Sequence, residues 1–344
     1  MSERTRRGIA VTLVQYAVGI AALAWLVTQI DIGNVLTLLG RLDAATVLAV
    51  LAVSVAGLLA RFYTWYVVSR PFGDVRYREA ASADLIVKFV NQLLPSRLSG
   101  RVAAPFVIRS QMGISYADAT ATAGVHTGIY AVYYGLVAVV GVGFVSGRLP
   151  WGLLALVGLS TGLYVAAGGF VLIAGMNLAF LDRVIEGLAA LIGRVPRVGA
   201  GLAERLRNVM EFTTASTVSF RALTTDPRVW LHYGAGWLGA LVLAPGLRVL
   251  LLLGGFGSGF EPVVLLPVVL VAAYSVTLLP LTPGGVGVTE ATATAVFVAL
   301  GVPSDVIVPV ILIDRVLGTY LPAVAGWYPT LKVDVSSLAP DREA

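Results

Sequence analysis

Residues 88–101 read KFVNQLLPSRLSGR, and residues 276–290 read VTLLPLTPGGVGVTE. Each stretch contains Leu-Leu-Pro followed by a glycine-containing turn, and each lies among segments apolar enough to sit in a bilayer. Proline removes a backbone donor and glycine permits non-helical turns, so both stretches predict a break in a helix. Non-helical backbone at membrane depth is tolerated where it is buried in protein or lines a wet cavity. The two breaks therefore predict a pair of interrupted helical units.

The composition is that of a polytopic membrane protein. Hydrophobic residues make up 58% of the 344 residues and charged residues only 12%, whereas a soluble domain carries about 25% charged residues. Cysteine is absent, which excludes disulfide and thiolate chemistry. The net charge of +5 indicates inward-facing loops and anionic lipid as the partner, not nucleic acid.

An all-α fold with about six transmembrane helices is predicted from the apolar runs. Arginines precede the first apolar run and follow the second apolar run, which places both of these segments on the inside. We therefore expect a multi-pass protein of the cell (plasma) membrane with cytoplasmic N- and C-termini. The high content of Ala, Val, Gly and Arg is typical of a GC-rich prokaryote. The predicted spans cover residues 9–30, 45–69, 117–146, 151–176, 229–253 and 304–328.

Residues 80–110 and 262–301 are predicted to form re-entrant helical hairpins, because the pieces on either side of each break are too short to span. The loop charges place the entry of the first hairpin inside and of the second outside, which makes a pseudo-inverted repeat. Broken apolar segments in matching positions of two halves mark the binding site of many transporters. In the alternative topology each hairpin crosses fully, which gives roughly eight to ten spans.

A single integral membrane domain is predicted over residues 1–330, with a cytoplasmic tail at 331–344. Residues 1–176 form its first half and residues 229–330 its second half. Residues 177–228 are rich in arginine and show amphipathic spacing at the helical period. This pattern predicts a cytoplasmic connector that lies on the membrane surface.

The basic residues after the first break are candidate ligands for a lipid headgroup. Arg97, Arg101 and Arg109 cluster there, and Asn91 lies just before the break. A guanidinium offers paired donors to phosphate oxygens, so the arginines could form a phosphate clamp. Alternatively, they sit at the inner interface and neutralise lipid headgroups.

A second candidate anion site follows the second break. Its residues precede a predicted helix, and a helix N-terminus presents free amides and a positive dipole end. Glu290 lies in the first turn of this helix, where it could be an ordinary favourable acid, a proton-coupling carboxylate, or the partner of Arg97 or Arg101 across the two hairpins. The turn residues are Pro283, Gly284, Gly285 and Gly287.

Further ionisable residues within apolar segments are assigned to coupling or to structural pairing. Asp84 and Lys88 lie four residues apart on one helical face and could pair with each other. A lone histidine is more often a hydrogen-bonded core residue than a proton relay. Acid–base neighbours in the last span are expected to pair with other helices or to reach the site. The residues so assigned are Lys88, His126, Asp314 and Arg315.

Metal, nucleotide and acyl-enzyme chemistry are not indicated by the sequence. Two distant histidines and no cysteine argue against a metal site. The sequence has neither a P-loop pattern nor a nucleophile elbow. We therefore expect no cofactor and no catalytic residue.

The motifs around both breaks resemble the transmembrane-domain family of lysylphosphatidylglycerol synthases, also called the flippase-like domain family. The residues that carry the resemblance are NQLLPSRLSGR with IRSQMGIS downstream, and PLTPGGVGVTEA followed by ALGVPSD and DRVLGTYLP. The resemblance runs from the first span to Trp327. It implies an integral membrane protein linked to the movement of lipids, typically aminoacylated phospholipids or isoprenoid-linked glycans. In bifunctional members a separate soluble domain transfers the aminoacyl group, and we expect no lipid aminoacylation by this chain.

The leading functional hypothesis is translocation of a phosphate-bearing phospholipid or polyprenyl-linked lipid. The expected ligand is thus an anionic phospholipid or a polyprenyl phosphate. One alternative is a non-catalytic membrane scaffold for a glycosyltransferase or synthase partner. A second alternative is a membrane enzyme that transfers a group to lipid. The sequence leaves the oligomeric state open.

Overall fold

The described part of the chain is entirely helical in its regular secondary structure, as predicted. The computed structural model describes residues 42–93, 97–176 and 218–331, with positions 37 and 40, and it describes side chains throughout these ranges except at 93, 97–102 and 174–176. The predicted span 9–30, most of the connector 177–228, and nearly all of the tail lie outside the described residues.

The helices follow one another with short connections. Residues 218–225 are also helical, and α6 and α7 below are joined by a π-helical segment, as are α10 and α11. The helices are α1 (Ala44–Ser69), α2 (Tyr77–Leu93), α3 (Arg97–Met112), α4 (Tyr116–Val145), α5 (Trp151–Met176), α6 (Pro227–Leu238), α7 (Ala244–Gly255), α8 (Leu266–Tyr274), α9 (Val288–Ala299), α10 (Ser304–Arg315), α11 (Leu321–Ala325) and α12 (Trp327–Thr330).

Within the described ranges, 5 helical stretches are long and apolar enough to cross a membrane. They match the predicted spans other than 9–30, so the prediction of an all-α polytopic membrane fold is confirmed. Large apolar side chains such as Leu48, Leu136 and Val324 are exposed on these stretches, as a surface in contact with lipid requires. The stretches are Ala44–Phe72, Tyr116–Val145, Trp151–Ile173, Pro227–Gly255 and Ser304–Thr330.

The first predicted hairpin corresponds to α2 and α3, which pack against each other. They contain 17 and 16 residues, fewer than the approximately 20 that a span needs. Residues 94–96, which include the predicted break, are not described. Helix α2 also packs against α11 and α12, so this hairpin contacts the end of the second half of the chain.

The second predicted hairpin is broken where the sequence predicts it. Helix α8 continues as a 3-10 helix to Leu278, the chain then turns, and α9 begins at Val288. Gly284, Gly285 and Gly287 have φ values of 60°, 75° and 81°, in the left-handed region that glycine adopts without strain. The break is thus a glycine-dependent turn between two short helices that pack on each other.

The broken segments of the two halves meet in the structure. Helix α2 packs against the turn Pro283–Gly285. A Cβ atom at Gly284 would overlap the side-chain amide of Gln92 near the end of α2. The glycine therefore permits a close approach between the second break and the first hairpin.

Candidate functional site

A polar cavity of about 170 Å³ lies between the two halves of the described chain. Its wall takes residues from α1, α2, α3 and α4 in the first half and from α7, α8, α10 and α11 in the second half. Both π-helical segments also contribute, through Ala240 and Leu241 from one and Leu317, Gly318 and Thr319 from the other. The site is therefore assembled from segments far apart in the sequence.

A first ion pair, with a buried carboxylate, connects α1 to the first hairpin. The Nε atom of Arg61 donates to both oxygens of Asp84, at 2.8 and 2.9 Å, and the indole Nε1 of Trp65 donates to Oδ1 at 2.9 Å. Asp84 is fully buried. Arg61 and Trp65 lie one turn apart on α1, so both side chains reach the same carboxylate.

A second buried ion pair connects α7 to α10. The Nε and Nη2 atoms of Arg248 lie 2.8 and 2.7 Å from Oδ1 of Asp314. The hydroxyl of Tyr274 donates to Oδ2 at 2.7 Å. Both charged side chains are buried, and the pair joins Asp314 to a residue of another helix.

A third buried ion pair joins the second hairpin to the last span. The Nε atom of Arg315 donates to Oε1 of Glu290 at 2.6 Å, and the hydroxyl of Tyr320 donates to the same oxygen at 2.5 Å. The amide of Gly287 donates to Oε2 at 2.7 Å. Glu290 is fully buried, so its carboxylate is satisfied by three donors from α10, the adjoining π-helical segment and the turn before α9.

This geometry corrects the predicted pairing of Glu290. Arg97 and Arg101 were expected as its partners from the sequence, but the described partner is Arg315. The side chains of Arg97 and Arg101 are not described, so their predicted clamp stays a prediction. Glu290 also accepts a hydrogen bond from the amide of Gly287, just before α9. The protein's own carboxylate therefore occupies the position at which the sequence predicted a site for an anionic ligand.

Lys88 and Gly318 form a contact that replaces the expected local pair of Lys88 with Asp84. The Nζ atom of Lys88 donates to the carbonyl oxygen of Gly318 at 2.7 Å, whereas Asp84 is paired with Arg61. A Cβ atom at Gly318 would lie 2.5 Å from Nη2 of Arg248. Glycine therefore lets the π-helical segment approach Arg248 while its carbonyl receives Lys88.

Aromatic rings form another part of the wall. His126 stacks on Trp65 with ring centroids 3.7 Å apart, and the hydroxyl of Tyr233 lies 3.1 Å from its Nδ1. Tyr130 and Tyr134 stack on each other at 5.6 Å. His126 is thus held as a hydrogen-bonded core histidine would be, while it also faces the cavity.

Several of the predicted site residues lie together at the cavity, and others lie away from it. Lys88, Asn91, His126, Asp314 and Arg315 all line the cavity. The half-buried Arg109, near the end of α3, is not among the lining residues. Residues Pro283, Gly284 and Gly285 are buried and do not line the cavity, but Gly284 lies against the cavity-lining Gln92.

Four residues at the ion pairs were not expected from the sequence to have a role: Arg61, Arg248, Tyr274 and Tyr320. Arg61 and Arg248 each stand as a single charge within an apolar span, which is the signal that identified Asp314. The same reasoning would have found both arginines. The tyrosines carry no such signal, because their role depends on which helices pack together.

Two buried polar atoms of the cavity wall have no hydrogen-bond partner among the described residues. One is Nη2 of Arg315, and the other is Oδ1 of Asn91. Arg315 is only 5% exposed, and its Nη1 donates to Thr319 at 3.1 Å. Buried polar atoms are normally satisfied in native structures, so these two leave one donor and one acceptor unused on residues that line the cavity.

Comparison with known proteins shows which family this chain resembles. The family model described as the lysylphosphatidylglycerol synthase TM region matches residues 12–326. A UPF0104 membrane protein of Pyrococcus horikoshii is 34% identical over 61 residues. That alignment covers 18% of this chain and 18% of the archaeal protein, so it supports a relationship over a short segment only.

Proposed function

Because the chain belongs to the lysylphosphatidylglycerol synthase TM region family, we propose that it moves a phosphate-bearing lipid across the cell membrane. The headgroup passes through the polar cavity, while the acyl or isoprenoid tails stay in the bilayer. The chain performs no group transfer on the lipid.

The observation that carries the proposal is a buried polar cavity inside a bundle with an apolar outer surface. Ionisable side chains cost at least about 2.5–3.5 kcal/mol each at the centre of a membrane helix, and they mark substrate or ion pathways. Here Arg61, Arg248 and Arg315 all lie in such stretches and line one cavity. A bundle that only anchored a soluble partner would have no use for this arrangement.

The meeting of the two breaks supports the same function. Irregular backbone between short helices offers polar groups to a substrate at membrane depth, as in transporters with broken helices. The turn Pro283–Gly285 contacts α2 directly beside the cavity-lining Gln92. A relative movement of the two hairpins would therefore alter the cavity.

The orientation follows from the charges of the loops. We propose that both termini and the arginine-rich connector lie in the cytoplasm and that the membrane is the plasma membrane. In this orientation the first hairpin opens to the cytoplasm and the second to the outside.

Reconstitution of the purified chain tests the proposal. Liposomes would contain a phospholipid with a fluorophore on an acyl chain, and a membrane-impermeant quencher would report the fraction in the outer leaflet. We expect the protein to expose inner-leaflet lipid faster than protein-free liposomes do. Equal rates would contradict translocation by this chain, and stable association with a lipid-modifying transferase would then support the scaffold alternative.

A further inference from the structure

The carboxylates beside the cavity-lining arginines are already paired. Each of the carboxylates described there accepts from an arginine and from an aromatic N–H or O–H group. A cationic headgroup would have to displace an arginine, which would leave a buried charge without its partner. The groups are Asp84 with Arg61 and Trp65, Asp314 with Arg248 and Tyr274, and Glu290 with Arg315 and Tyr320.

Aromatic faces could in principle hold a cation, but one face of each of three rings beside the site is already covered. The guanidinium of Arg315 lies over the rings of Tyr274 and Tyr320, at 5.6 and 5.5 Å from their centroids. His126 covers a face of Trp65. The described wall therefore offers a lysyl or other ammonium group no carboxylate without an arginine partner.

Two atoms without a described partner, Nη2 of Arg315 and Oδ1 of Asn91, suit a ligand that is not cationic. The Nη2 group of Arg315 is a cationic donor, which suits a phosphate oxygen. The Oδ1 atom of Asn91 is a neutral acceptor, which suits a hydroxyl group. Both residues line the same cavity, so a ligand that carries a phosphate and a hydroxyl would satisfy both.

We infer that the headgroup held in this cavity is a hydroxyl-bearing phosphate ester without a cationic group, such as glycerol phosphate or a sugar phosphate. A lysylated lipid is therefore rejected, although the description of the family names lysylphosphatidylglycerol. The inference rests on the proposed function for its membrane context. It deepens that function by giving the charge class of the substrate.

Binding measurements on the purified full-length chain in detergent test this selectivity. The probes are short-chain phosphatidylglycerol, its lysyl ester, and a short-chain prenyl phosphoglucose. We expect phosphatidylglycerol to bind at least about tenfold more tightly than the lysyl ester, a difference in Kd that isothermal calorimetry resolves. If the prenyl probe binds more tightly still, the natural ligand is polyprenyl-linked and the inference stands.

Two variants assign the effect to the unpartnered atoms. Arg315→Lys keeps a cation beside Glu290 but removes Nη2, and Asn91→Leu removes Oδ1 without breaking a described hydrogen bond. Each is expected to weaken binding of phosphatidylglycerol about tenfold. The control Arg76→Lys, at an exposed ion pair with Glu79, is expected to bind as the wild type does.

The outcomes separate the inference from the proposed function. Equal or tighter binding of the lysyl ester by the wild-type chain would overturn the inference, even if liposomes show lipid movement. Selective binding of phosphatidylglycerol without movement in liposomes would support the inference and contradict translocation.

Discussion

At the scale of single residues, the site is built from arginine–carboxylate pairs whose members come from different helices. Such buried pairs contribute little net stability compared with apolar residues, but removal of one member leaves an uncompensated charge. Arg61, Arg248 and Arg315 each bring a cation to the cavity wall while their carboxylate partners fix the geometry. The pairs therefore hold three cations in place at the cavity wall.

The substitution Glu290→Gln tests this view. The amide keeps the shape of the side chain but removes the charge that balances Arg315, so we expect unfolding to become easier by about 3–5 kcal/mol. Reversible unfolding in mixed detergent micelles measures the change. The matched control is Glu79→Gln, at the exposed pair with Arg76, where a loss of at most about 1 kcal/mol is expected. Similar losses in both variants would contradict the structural role of Glu290.

The sequence alone shows which charges lie within apolar spans, but it does not show which of them form ion pairs with each other. Asp314 and Arg315 stand out because a charge within an apolar span needs a reason. Their partners Arg248 and Glu290 are 66 and 25 residues away, and only the packing of α7, α9 and α10 brings them together. The sequence offers Arg97 and Arg101 in the first hairpin and Arg315 in the last span as cations for Glu290 and does not rank them, whereas the described partner is Arg315.

At the scale of helices, close packing depends on glycine. A Cβ atom at Gly141 of α4 would lie 2.5 Å from the carbonyl oxygen of Val268 in α8. Backbone atoms cannot rotate away as a side chain can, so the two helices would have to separate. Helix α8 is the first helix of the second hairpin, and its position also sets that of Tyr274.

Gly141→Ala is therefore expected to destabilise the protein by about 1–3 kcal/mol, the usual range for overpacking. Gly143→Ala, two residues further along α4 and exposed with no atom within 4 Å of its Cβ position, is expected to be neutral or stabilising by up to about 1 kcal/mol. Thermal unfolding of both variants in the same detergent makes the comparison. Equal midpoints would show that α4 and α8 are not in close contact.

Helix breaks were predictable from composition, whereas π-helical segments were not. Proline and glycine act locally, so the turn at Pro283–Gly285 follows from residue type. The π-helical segments Gly239–Leu243 and Val316–Tyr320 carry no comparable signal. Such segments are rare and frequently occur at functional sites, and both of these line the cavity.

At the scale of the whole molecule, the inverted arrangement of the two hairpins can be tested by labelling. The sequence contains no cysteine, so single cysteines can be introduced without background. Asp74→Cys, before the first hairpin, should react with an impermeant maleimide only from the cytoplasmic side, and Ser304→Cys, after the second hairpin, only from outside. Reaction of both from the same side would contradict the inverted repeat.

A third position separates re-entrant from fully crossing hairpins. Leu281 lies at the break of the second hairpin and is 41% exposed. A re-entrant hairpin keeps Leu281→Cys at membrane depth, so we expect no labelling from the cytoplasmic side. Labelling there at the rate of Asp74→Cys would instead show that this hairpin crosses the membrane fully.

The most direct test of the account is to block the cavity during lipid translocation. Thr127 of α4 lines the cavity, and Val139 of the same helix is 52% exposed on the outer surface. Thr127→Cys and Val139→Cys would be reconstituted in the fluorescent-lipid assay and modified with a bulky thiol reagent. We predict that modification of Thr127→Cys lowers translocation to the protein-free rate while modification of Val139→Cys leaves it unchanged. Undiminished translocation by fully modified Thr127→Cys would contradict passage of the headgroup through this cavity.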